Sequence, residues 1–120
     1  MEARIAQPDC LFCKMVRGEI SPKKAYEDEH VLAFHDIQPQ APVHFLVIPR
    51  AHIATTNDIT PENAAVLARL FAVLPNLAKK HGIAESGYRL VINCNRDALQ
   101  TVFHIHVHVL GGRTFLWPPG

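Results

Sequence analysis

The segment that most limits what this chain can become is Phe103-His104-Ile105-His106-Val107-His108-Val109-Leu110. Alternate side chains of a strand share a face. The run therefore predicts a strand over 103–110 with His104, His106 and His108 on one side. Ile105, Val107 and Val109 fall on the other side, where they can pack on a helix. Three imidazoles in a row are a costly front for a strand that only carries structure. Close imidazoles titrate as a coupled set and change charge near neutral pH. Together they can supply a nucleophile, an acid and an orienting partner. Two other uses fit the same pattern. One is a solvated strand face; the other is a metal site, because two histidines on alternate strand positions can reach one zinc.

The rest of the chain supplies what such a strand needs. Its 120 residues suit a single domain over 1–120, with the mixed, polar residues 1–9 expected as a flexible N-terminus. Asp9 can cap a short helix over Cys10–Arg17, with Gly18 as its stop. Ala25–Glu27, Val31–His35, Val43–Ile48 and Tyr88–Asn93 read as further strands, the third closed by Pro49. Thr60 and Pro61 are helix-start residues, and the apolar positions 66, 67, 70, 71 and 74 follow with helical spacing. Pro75 is expected to kink or split that helix. Lys79, Lys80 and His81 suit its C-terminus and Gly82 its cap. The order predicts an α+β fold: an antiparallel sheet of about five strands, one long helix and a short N-terminal helix.

Several function classes are disfavoured. Twelve basic residues against eleven acidic ones leave no broad basic surface, so nucleic acid is not an expected partner. No run approaches the roughly 18 apolar residues of a membrane span, and the N-terminus has no secretory h-region. The three cysteines do not form a disulfide framework and fit a reducing compartment, so a cytoplasmic location is expected.

His104-Ile-His106-Val-His108-Val-Leu110 resembles the signature of the histidine triad (HIT) superfamily. The wider chain is similar to its Hint-like, purine nucleotide-binding branch. The resemblance extends over Phe34-His35-Asp36-Ile37, Ala41-Pro42-Val43-His44-Phe45-Leu46-Val47-Ile48-Pro49, Gly111-Gly112-Arg113 and Trp117-Pro118-Pro119-Gly120. Separated segments agreeing in order are far more specific than one motif. The resemblance implies a HIT-like fold, a homodimer, and hydrolysis of purine nucleoside phosphoramidates or related nucleoside monophosphate conjugates. It implies His106 as nucleophile, forming a nucleotidyl-histidine. It implies His108 as phosphate partner and proton donor to the leaving group, His104 as an orienting residue, and His44 behind them.

The same resemblance assigns nucleotide contacts. Asp36 matches the ribose position, with His35 beside it in the motif. Phe12, Phe34, Ile37 and Leu46 would hold the purine of an AMP- or GMP-type nucleotide, and Asn93 and Thr101 would contact phosphate. Trp117 would reach toward the partner subunit's site. No cofactor is implied for the chemistry. The chemical demands agree: a neutral imidazole attacks phosphorus without a separate base, and an amine departs only with a proton. Where relatives carry glycine, this chain has Asn95 and the pair Ala98-Leu99, which bears on the leaving group. The alternatives are a non-catalytic nucleotide-binding module, a metal-dependent hydrolase, and a dinucleoside polyphosphate hydrolase, the last disfavoured by the Trp-Pro-Pro-Gly ending.

Cys10-x-x-Cys13 has the spacing of metal ligands, but two ligands do not make a structural zinc site. The resemblance implies His52 and His104 as the other two. A pair of small buried cysteines is the competing explanation. Cys94 reads as a packed thiol.

Overall fold

The computed structural model describes residues 9–120. The expectation of a flexible N-terminus therefore falls, for residues 1–8, outside the described residues. Two helices and five strands follow in the order α1 (Leu11–Val16), β1 (Lys24–Glu27), β2 (Val31–His35), β3 (Val43–Pro49), α2 (Ala64–Lys80), β4 (Tyr88–Val91) and β5 (Val107–Gly111). Short 3-10 turns lie at Thr56–Asp58 and Arg96–Ala98. The strands form one sheet in the order β1-β2-β3-β5-β4, every neighbour antiparallel. This is the expected α+β architecture.

Period-two alternation sends the side chains of the central strands to two covered faces. Val31, Ala33, Phe45, Val47, Val107 and Val109 pack on Leu70, Leu74 and Leu77 of α2. Leu32, Phe34, Leu46 and Ile48 face the other way, against Phe12 of α1. The central strands are thus buried on both faces, and the histidine-bearing β5 lies between β3 and β4. Close packing leaves no room at Gly111, where a Cβ would come within 2.8 Å of Ile83.

Four local expectations are corrected. The last strand spans Val107–Gly111, not 103–110, so of the three histidines only His108 is in the sheet. Residues 102–106 leave the ladder: His104 is drawn into a buried cluster, and the Ile105 N–H bonds the Ile53 carbonyl at 2.6 Å. Cys10, not Asp9, is the N-cap residue of α1, its sulfur accepting from the Cys13 N–H. Thr60 and Asn63 make a closed turn before α2, each side-chain oxygen accepting the other's N–H, and the helix starts only at Ala64. Pro75 neither splits nor ends α2. It sits on the exposed side, while Leu70, Leu74 and Leu77 bury both halves against the sheet and offset the lost backbone bond. The C-terminus matches expectation: Gly82 at φ +74° lets its own N–H and that of Ile83 return to the carbonyls of Lys79 and Ala78.

Candidate functional site

A cavity of about 680 Å³ opens on the α1 side of the sheet. Its apolar wall comes from Leu11, Phe12 and Met15 of α1, with Phe34 and Leu46 from the strands beneath and Val102 from the loop. Its polar end holds Asn93, Thr101, His106 and His108. His35, Asp36 and Ile37 border it where β2 ends. An apolar trough with few convergent polar groups is the usual form of a small-molecule site.

The hydrogen-bond network assigns the ring tautomers at the polar end. The Gln40 N–H donates to His44 Nδ1 at 3.0 Å, so His44 carries its proton on Nε2. That Nε2–H donates to His108 Nδ1 at 2.9 Å, which leaves the proton of His108 on Nε2. His106 Nδ1 lies 2.8 Å from the His104 carbonyl, an acceptor only, so Nδ1 donates and the lone pair of His106 sits on Nε2. A donor and a nucleophilic lone pair are therefore held on neighbouring rings whose centroids are 5.1 Å apart.

Burial favours the neutral form of these rings. It pushes His108 down to about 4, helped by the adjacent His106 and His44 and opposed by the Asp36 carboxylate. Burial also lowers His106, against the His104 carbonyl bond and Asp36, and lowers His44, against Asp36. Phe12 stands edge-on to His106 at 5.1 Å between centroids, placing hydrocarbon where water would otherwise stabilise a charged ring. Asp36 Oδ1 accepts from the Gln38 N–H at 2.8 Å, and Oδ2 lies 3.4 Å from His44 Nε2.

His104 has turned elsewhere. It is fully buried and does not line the cavity. Its Nε2–H donates to the Pro49 carbonyl at 2.8 Å, so the lone pair on Nδ1 faces Cys10 Sγ at 3.4 Å, Cys13 Sγ at 3.5 Å and His52 Nδ1 at 3.2 Å. Cys13 Sγ is 3.3 Å from His52 Nδ1. Zinc bond lengths give a tetrahedron whose N–N and N–S edges run from about 3.3 to about 3.6 Å. The four donors are thus already close to zinc spacing, in a two-sulfur, two-nitrogen set. Burial also pushes His104 down to about 4, which keeps its donor nitrogen free of a proton.

The residues expected from sequence fall into three groups. Phe12, Phe34, His35, Asp36, Ile37, Leu46, Asn93, Thr101, His106 and His108 all border the cavity, although Ile37 is 95 % exposed at its edge. His44 lies behind His108, and Cys10, Cys13, His52 and His104 form the buried cluster. Trp117, 81 % exposed on the C-terminal segment, is not part of the cavity of its own chain. Sequence reading missed Leu11 and Met15, although their spacing with Phe12 marks one face of α1. It also missed the backbone of Gln40 and Pro49, for which no side-chain signal exists.

The HIT domain family model matches residues 17–115. The chain is 48 % identical over 105 residues to the purine nucleoside phosphoramidase of Escherichia coli (strain K12), covering 88 % of each chain. It is 47 % identical over 112 residues to an uncharacterized HIT-like protein of Synechococcus elongatus, covering 93 % of this chain and 97 % of that one. Among solved structures it is similar to a HIT family hydrolase from Legionella pneumophila, with a TM-score of 0.91 and 50 % identity, covering 93 % of this chain and all of the other. A histidine triad protein from Clostridium difficile gives a TM-score of 0.90 at 38 % identity, covering 93 % and 97 %.

Proposed function

The chain belongs to the HIT domain family, and from that premise we infer that it is a hydrolase of purine nucleoside phosphoramidates and related nucleoside monophosphate conjugates. The observation that carries this reading is the pairing of a lone pair on His106 Nε2 with an N–H on His108 Nε2 at the polar end of an apolar trough. The trough accepts a purine. Asp36 accepts the ribose hydroxyls, and Asn93, Thr101 and His108 donate to the phosphoryl oxygens. His106 Nε2 attacks phosphorus, a P–N bond to histidine forms, and the P–N bond to the leaving amine breaks.

The leaving nitrogen needs a proton. An anionic phosphate beside the His44–His108 pair raises the proton affinity of that pair, which takes up one proton from solvent as the substrate binds. His108 Nε2 then delivers the proton to the amine, and the pair returns to neutral. Water next attacks phosphorus, releases the nucleoside monophosphate and restores His106. The chemistry draws on no cofactor. Incubation with adenosine 5′-phosphoramidate, an alkaline quench and mass spectrometry of peptides kept at alkaline pH tests this directly. Adenylylated His106 is expected; a modification confined to any other residue sinks the assignment.

The Cys10, Cys13, His52 and His104 cluster holds a structural zinc in this reading, supported by the donor spacing and the bare Nδ1 of His104. Zinc there ties α1 to the sheet and contributes no step to the hydrolysis. The chain is one domain and works as a homodimer. Support comes from the exposed side of α2, where Ala64, Ala68, Phe71, Ala72 and Pro75 make an apolar stripe, and from β4, which has a sheet neighbour on one side only. Trp117 would then approach the partner's cavity. Among the described residues no helix is long and apolar enough to cross a membrane. Cysteines that are not joined in disulfides suit a reducing, cytoplasmic setting.

A further inference from the structure

We propose that Arg113 is a positioning residue for the reaction, acting through the main chain of Gln40 to hold the tautomers of His44 and His108. The contact is built rather than incidental. Directly after β5, Gly112 turns at φ +89° and lies so close to the Gln38–Pro42 loop that a Cβ there would come within 2.9 Å of Pro42. That approach seats Arg113 against the loop. Its Nε and Nη2 both donate to the Gln40 carbonyl, at 3.2 and 3.1 Å. Nη1 donates to the Thr114 carbonyl at 3.3 Å, and the guanidinium lies over the Phe115 ring, 4.2 Å from its centroid. A planar fork fixed at this many points loses little freedom on making its bonds.

Gln40 is therefore held from two sides. Its carbonyl is tied to Arg113, and its N–H donates to His44 Nδ1 at 3.0 Å. While that N–H is in place His44 must keep its own proton on Nε2, where the Asp36 carboxylate 3.4 Å away also favours it. In that state His108 receives a bond at Nδ1 and presents an N–H at Nε2. If the Gln40 N–H withdraws, His44 can hold its proton on Nδ1 and turn a lone pair toward His108. His108 then protonates Nδ1 and presents a lone pair to the phosphoryl oxygens, which repels the group it should bind. The relay runs from an exposed arginine, through one backbone residue, to the ring beside the nucleophile.

The rate arm of the test rests on the phosphoramidase reading; the tautomer arm does not. Arg113→Ala and Arg113→Lys are compared with the parent using adenosine 5′-phosphoramidate and using nitrogen-15 NMR of the histidine rings. Loss of this two-donor contact, which acts only through ring orientation, predicts kcat falling about fivefold to tenfold in Arg113→Ala, with KM nearly unchanged because the purine trough is untouched. Arg113→Lys keeps one donor and is expected to recover part of the loss. In the NMR arm, Arg113→Ala is expected to give mixed tautomers at His44 and His108 where the parent shows one. Unchanged tautomers in Arg113→Ala overturn the proposal whatever happens to the rate. Mixed tautomers with undiminished kcat overturn it as well. A parent that does not turn over the phosphoramidate refutes the functional reading instead, and the ring tautomers of the resting protein still decide the role of Arg113.

Discussion

His106 Nδ1 donates to the carbonyl of His104, two residues earlier in the chain, at 2.8 Å. The bond fixes which nitrogen of His106 bears the lone pair, and it does so without any second side chain. Replacing His106 by Ala removes the atom that bonds to phosphorus but leaves the purine trough and Asp36 in place. Turnover is expected to drop by about three orders of magnitude or more, while AMP binds within a few-fold of the parent. Single-turnover kinetics and calorimetry measure the two quantities separately. Full activity in His106→Ala would falsify the mechanism.

Acid should destabilise the protein from a pH set by the unfolded chain. Burial lowers His108 from 6.5 to about 4. Between those values the unfolded chain binds more protons than the folded one, so stability falls as pH drops through that window and the contribution of His108 levels off below it. Urea midpoints measured across the range are expected to slope downward toward acid, less steeply in His108→Gln. A parent and variant with the same slope would show that His108 is not held neutral by the fold.

Metal should control nucleotide affinity as well as stability. A six-residue helix is too short to persist by itself, and α1 carries Phe12 between two of the cluster's cysteines. Chelation, or Cys13→Ser, is expected to lower the melting temperature and weaken AMP binding about tenfold through loss of the Phe12 wall. Elemental analysis gives zinc content and calorimetry gives affinity. Affinity that does not change when zinc is lost would separate the cluster from the cavity.

Leu99 is 80 % exposed, borders the cavity, and holds a left-handed backbone at φ +62°, ψ +39°. An L side chain in that conformation costs about 1–2 kcal/mol, part of which glycine would return in unfolded-state entropy. Leu99→Gly is therefore expected to change stability by no more than about 1 kcal/mol. It should also raise kcat/KM for substrates with bulky amines relative to small ones. A panel of phosphoramidates differing only in the amine reads this out. An unchanged preference across the panel would mean that Leu99 does not bound the leaving group.

Much of this was legible because side chains carried it. Alternation located β2 and β3, helical spacing located α2, and the Gly82 cap ended α2 where expected. The resemblance to the HIT superfamily named His106, His108, Asp36 and part of the apolar wall, residues that border one cavity. The failures have different physical sources, and at the triad local patterning yields to tertiary attraction. The triad's alternation predicts one continuous strand, yet His104 gains more by joining Cys10, Cys13 and His52 than by staying in the ladder, and 102–106 bends away with it. Thr60 looks like a helix cap but closes a turn with Asn63, which itself bonds the Asp58 carbonyl. Left-handed backbone at Asn95 and Leu99 was hidden for the opposite reason, since neither residue is a glycine.

The atoms that orient the histidines are largely main-chain ones: the carbonyls of His104 and Pro49, and both polar groups of Gln40. None of these depends on what side chain its residue bears. A survey that swaps residues one at a time for alanine would pass over Gln40 and Pro49 as silent, and two sequences could differ there while aiming their rings identically. What this fold must preserve at those places is a path of the chain, not a letter. Backbone chemistry, such as an ester in place of the Gln40 amide, is the substitution to which those places would respond.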